Sequence, residues 1–164
     1  MKYLLTAAAI ATSFFACNSS DDTTTETKET GHDAHASTTA AVEMPAMPVV
    51  PANARVYFAN LKDGQTVTSP LKVEMVVEAM QVDTANGKLK DASGHHHILV
   101  DMDSIRTGEV IKKDSVHIHF GNAQTSAEIT LPPGKHSLTL QFADALHRSY
   151  GSRLTSKITV DVKQ

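Results

Sequence analysis

The chain has 164 residues, with 15 Lys and Arg against 18 Asp and Glu, a net charge of −3. A single Cys excludes an internal disulfide, a Cys-based zinc cluster and a thiol redox pair, and without a basic excess to hold a phosphate backbone, nucleic acid is excluded as a partner. Trp is absent and 5% of residues are aromatic, which disfavours a stacking platform, whereas 9 His is an unusually high count.

Met1-Lys2 makes a short positive start, and Leu4 to Ala16 is small and apolar without a charge. This is the charged and hydrophobic pair of regions of a signal peptide, expected over residues 1–16. Asn18-Ser-Ser-Asp-Asp22 ends the run short of the roughly 20 apolar residues that a membrane span needs. Ser13-Phe14-Phe15-Ala16-Cys17 resembles a bacterial lipoprotein lipobox, with Phe14 where Leu is usual. The resemblance implies cleavage before Cys17 and attachment of diacylglycerol to its thiol, a durable anchor at about 0.8 kcal/mol per buried CH₂. Asn18, rather than Asp, follows the Cys, so the expected location is the outer membrane, facing either the periplasm or the cell surface.

Residues 17–52 read as a disordered tether. Thr, Ser, Ala and acidic residues dominate there, and too little apolar surface is available to offset the entropy of ordering. Met44-Pro-Ala-Met-Pro-Val-Val-Pro51 ends it with a stretch that favours extended polyproline II. His32, His35, Met44 and Met47 also lie here, and imidazole with thioether suits copper.

Residues 53–164 form the expected folded domain, of a size that buries roughly two thirds of its unfolded surface without a staple. Its dominant period is two. Val56 to Phe58 opens a strand. Leu71, Val73, Met75 and Val77 alternate along the next, after Val67-Thr-Ser-Pro70. Asn86-Gly87 marks a turn. Strands follow at His95–Met102, Val116–Phe120, Ser126–Leu131, His136–Phe142 and Leu154–Val162, with Pro132-Pro133-Gly134 as a breaker. About seven short strands and no amphipathic helix predict an all-β domain, an antiparallel immunoglobulin-like sandwich.

Gly94-His95-His96-His97-Ile98-Leu99-Val100-Asp101 is the most distinctive segment. Alternate residues of a strand face opposite sides. His96, Ile98, Val100 and Met102 form the more apolar set, expected to face the core. His95, His97, Leu99 and Asp101 then project outward. By the same logic Val116, Ile118 and Phe120 point inward, and His117 and His119 outward. If the two segments pair, four imidazoles share one face, with opposed Cβ atoms about 5 Å apart. That spacing suits N ligands at roughly 2.0–2.1 Å from one metal ion, copper or zinc. His147, in a loop, is a candidate fifth ligand, and Asp101 and Asp144 are candidate carboxylates. The competing reading makes these histidines separate surface residues or core-edge residues bonded to backbone carbonyls, as expected for His96 and His136.

These segments, with His119-Phe120-Gly121, Gln124-Thr125, Leu131-Pro-Pro-Gly134, His136, Leu138-Thr-Leu140 and the later His147, resemble a secreted bacterial domain of unknown function, DUF4399. Ala79-Met80 and Asn122-Ala123 depart from its usual pattern. The resemblance implies a shared role for His95, His96, His97, His119 and Gln124 and carries no activity. There is no His-Glu-x-x-His, no Gly-x-Ser-x-Gly and no nucleophilic series. The expectation is therefore a binding module rather than an enzyme. It is either a metal-binding envelope lipoprotein or an interaction module for an unidentified envelope protein, with structural histidines.

Overall fold

The computed structural model describes residues 43–163. The expected signal peptide of residues 1–16, Cys17, and the expected tether up to residue 42 with His32 and His35 lie outside the described residues.

The described residues contain strands and one short 3-10 turn, at Ser152–Leu154, and no α-helix. The strands are β1 (Arg55–Phe58), β2 (Gln65–Thr68), β3 (Leu71–Glu78), β4 (Gln81–Val82), β5 (Ser93–Val100), β6 (His117–Phe120), β7 (Ser126–Ile129), β8 (Gly134–Ala143) and β9 (Thr155–Lys163). All seven runs expected from alternation are present. β2 and the two-residue β4 add to them; β2 buries a single apolar residue, Val67, among polar ones, and β4 is too short to alternate.

One sheet has three strands in the order β1-β3-β7; the other has six, in the order β2-β9-β8-β5-β4, with β6 also paired to β5. The expectation of a wholly antiparallel fold is corrected at two places. β2 runs parallel to β9, and β4 runs parallel to β5. Both are short strands at the two ends of the six-stranded sheet's order.

Residues from both sheets make the main core. Val56, Phe58, Val73 and Met75 of the smaller sheet join Ile98, Leu138, Leu140, Phe142, Val160 and Val162 of the larger. Fully burying side chains of this size stabilises a fold by about 1.5–3 kcal/mol each. β3 keeps the predicted alternation, with Leu71, Val73 and Met75 buried and Lys72 exposed.

β5 does not alternate between inside and outside. All eight of its residues are buried. β8 flanks it on one edge, and β6 and β4 share the other. One face meets the main core. The other is covered by the chain that follows β5 and the chain that follows β8. There Leu99, Ile111 and Ala143 form a second apolar cluster, with Met102 and Ile105 against it. Gln141 pins this cover. Its Oε1 accepts from the Ile105 amide and the Thr155 hydroxyl, and its Nε2 donates to the carbonyls of Gly151 and Leu154.

The expected outward face of β5 is therefore an interior one. β5 also stops at Val100, before the expected Met102, because Asp101 turns to φ 57°. Val116, expected inward, is 38% exposed.

Glycine matters at one strand crossing. A Cβ on Gly94 would stand 2.3 Å from the Ala143 carbonyl oxygen and 2.8 Å from Phe142. Only a residue without a side chain lets β5 approach β8 this closely.

The compact unit begins at Glu43, ahead of the expected boundary at residue 53. Met47 and Val50 pack on the core. Ala92 donates to the Val49 carbonyl, and Val49 donates to Asp91. Arg148 donates to the carbonyls of Pro45 and Ala46, and Arg153 to that of Pro51. An extended Pro-rich segment has no internal hydrogen bonds, so its carbonyls are free to accept from guanidinium groups.

Candidate metal centre

β5 and β6 are antiparallel neighbours, with His97 directly opposite His119. His95, two residues before His97, lies on the same face. Across β5 on the other side, Ala143 stands opposite His95. The chain leaves β8 there, turns through Asp144 to Arg148, and pairs again through Ser149 with Ala143. This tight excursion carries His147 back over His95.

The excursion is held by a buried ion pair. Asp144 accepts from the amides of Leu146 and Arg148 and from Nε of Arg148 at 2.7 Å. His147 sits at φ 63°, and its amide donates to the Asp144 carbonyl. Asp144, Arg148 and Ser149 are all buried.

Four imidazoles thus converge: His95, His97, His119 and His147, each offering one ligand nitrogen, all within 4.8 Å of one another. Nε2 of His95 lies 2.9 Å from Nε2 of His97 and 3.2 Å from Nδ1 of His147. Two nitrogens bound tetrahedrally to one ion at 2.0–2.1 Å would be about 3.3 Å apart. The buried Nε2 of His119 has no hydrogen-bond partner. A cation at the centre would give it one. The donor set therefore fits a metal ion, and this group can hold one.

Gly121 makes room for the His119 ring. A Cβ at Gly121 would lie 2.2 Å from Cε1 and 2.4 Å from Nε2 of His119. The sequence signal for this is His119-Phe120-Gly121, a glycine two residues after a histidine, just past the end of β6.

The electrostatics favour neutral ligands. Burial, and then the neighbouring charges of His147, His119 and His96, push His95 down to about 3. Burial and the other cluster histidines push His97 far below the usual imidazole range. His119 is lowered by burial and by His147 and Lys113. A neutral imidazole keeps the lone pair that a metal takes, and no proton has to be displaced.

The remaining candidates are elsewhere. His117 does lie beside the cluster on β6, opposite Leu99. Its Nδ1 instead pairs with Asp114 at 2.7 Å, which also caps the amides of Val116 and His117. His117 is therefore not brought into the group, and His147 takes the fourth place. Asp101 faces Nδ1 of His136 at 2.8 Å and accepts from the Ser137 amide. Asp144 is engaged by Arg148. Neither carboxylate joins the histidines. His136 does meet a backbone carbonyl, that of Pro132, as expected. His96 does not. It is fully buried with both ring nitrogens unpartnered, edge-on to Phe142 at 4.9 Å. The apolar face that excludes His96 from water offers no carbonyl in its place.

A family model for a domain of unknown function, DUF4399, matches residues 73–163, the stretch that supplies all four cluster histidines. No curated protein matches the chain, and no solved structure does.

Proposed function

The chain belongs to the DUF4399 family, and we propose that it is a lipid-anchored cell-envelope protein that binds a transition-metal ion, copper or zinc, through His95, His97, His119 and His147. The observation that carries this is the convergence of four imidazole nitrogens within 4.8 Å on a buried face. The lipobox-like segment ending at Cys17 supports an outer-membrane anchor. The pairing of a three-stranded with a six-stranded sheet around one core supports an immunoglobulin-like sandwich as the scaffold.

The role is binding rather than catalysis. Four imidazoles complete a tetrahedral shell, whereas a catalytic ion keeps a position open for water or substrate. Asp144 and Asp114 are held by Arg148 and His117 and are not poised as bases.

A second reading has one specific support. The 2.9 Å contact of His95 with His97, and the 3.2 Å contact of His95 with His147, are hydrogen-bond distances that neutral imidazoles can make to one another. In that reading the cluster holds the sheet together and the domain binds an envelope protein. Metal loading of the purified protein without its signal peptide, followed by removal of loose metal and elemental analysis, decides between the two. The metal-binding reading expects close to stoichiometric copper or zinc. It also expects His97→Ala with His119→Ala to abolish retention, while His32→Ala with His35→Ala leaves it intact. Retention no higher than that of a control protein would establish the second reading.

A further inference from the structure

The ring positions say more than that a metal fits. The six centroid separations among the four rings are 4.7 Å for His95–His97, 4.8 Å for His119–His147, and 5.0 Å for His95–His119, His95–His147 and His97–His119, with 6.2 Å for His97–His147. A regular tetrahedron has six equal edges. With the other five distances as observed, four coplanar rings would put His97 and His147 roughly 8 Å apart, well beyond the 6.2 Å found. The four ring centroids thus outline a tetrahedron stretched along its His97–His147 edge, not a plane.

This shape is built into the fold. His95 and His97 sit on one strand, and His119 on its neighbour. His147 comes from outside the sheet, on a loop clamped by the Asp144–Arg148 ion pair. A sheet alone would present nitrogens in a nearly flat array; the loop lifts the fourth one off it. The donors are also uniform, with no carboxylate or thiolate among them, so the set contributes no negative charge.

We infer that the cluster is a preorganised tetrahedral four-imidazole site, selective for a d¹⁰ ion, Zn(II) or Cu(I), over Ni(II) and Cu(II). The inference rests on the metal-binding reading above and adds a selectivity to it. Ions with a filled d shell have no geometric preference and accept a tetrahedron without loss. Ni(II) and Cu(II) favour square-planar or tetragonal fields. Oxygen-seeking Mg(II) and Ca(II) find no ligand here. The neutral donor set adds a bias within copper. A buried cation without an anionic ligand keeps its full charge, and desolvation weighs less on Cu(I) than on Cu(II). On a flexible nitrogen site Cu(II) would instead bind more tightly than Zn(II).

Three metals used as probes on the full chain without its signal peptide test this. Co(II) should give the intense visible d–d absorption of a tetrahedral complex, lost on addition of Zn(II) and absent in the His97→Ala, His119→Ala variant. Ni(II) should bind at least on the order of tenfold more weakly than Zn(II) in direct competition. Copper added with a reductant should resist a Cu(I) chelator better than copper added without one resists a Cu(II) chelator of matched strength. The weak absorption of six-coordinate Co(II), or Ni(II) displacing Zn(II), would overturn the selectivity while leaving a metal site standing. No binding of any of these ions would remove the metal-binding reading as well.

Discussion

His96 is the residue whose chemistry is least like its surroundings. Two buried ring nitrogens without partners cost about 1–3 kcal/mol each relative to satisfied ones. Burial also pushes His96 down to about 4. The sign follows directly. Above the ordinary imidazole value of about 6.5, neither the folded nor the unfolded chain protonates this ring, so it adds no pH dependence. Between there and about 4 the unfolded chain takes up a proton that the folded chain refuses, so stability falls as the pH falls. His95 and His97 add the same sign. Replacing His96 with Leu, of similar volume, removes one such group. The variant should be at least as stable as the parent at pH 7.5, and its advantage should grow by about 2 kcal/mol at pH 5. Urea unfolding of both proteins at the two pH values measures this. An advantage that does not change with pH would mean that His96 is protonated, and partnered, in the folded state.

At the scale of elements, the histidine cluster is made where the end of one strand meets a turn. β6 contributes a single ligand, and its ring lies against the backbone at Gly121. Gly121→Ala puts a methyl group into the space that the His119 ring occupies, without a backbone penalty, since Gly121 does not have a positive φ. The expected result is a loss of metal affinity of on the order of tenfold or more, with the melting temperature changed by only a few degrees, because the site lies away from the main core. Isothermal titration with Zn(II) and a thermal melt of the metal-free protein separate the two effects. Unchanged affinity would show that His119 does not need its present position. The loop at Asp144 to Arg148 is the other determining element. Its buried ion pair sets the position of His147 and also reaches the carbonyls of Pro45 and Ala46. The segment before β1 is thus tied to the same turn that completes the histidine cluster.

For the whole molecule, the predicted anchor and the domain are separate questions. Cys17→Ala should move the protein from the membrane to the soluble fraction of cells while metal binding by the purified domain is unchanged. Continued sedimentation with membranes would remove the lipid-anchor proposal and leave the domain's chemistry untouched. Much of the domain was legible in one dimension. Alternation at Leu71, Val73 and Met75, and at Val160 and Val162, identifies strands and their buried faces, because side-chain direction on a strand depends on local geometry alone. The same period places His95 with His97 on one face of β5, and His117 with His119 on one face of β6. Three decisions needed the tertiary structure. Burial of the second face of β5 depends on what covers it, and the covering residues Ile105 and Ile111 sit on an irregular segment whose position is held by Gln141, a residue of another strand. The choice of His147 over His117 depends on a left-handed turn and on an acid three residues from His117, neither of which follows from strand periodicity. The tetrahedral rather than flat arrangement depends on bringing a loop over a sheet. Sequence alone therefore determined the seven main strands, the buried face of strands such as β3, and which residue type dominates the site. The tertiary structure decided which four imidazoles meet, because that is set by strand register and loop closure between segments far apart in the chain.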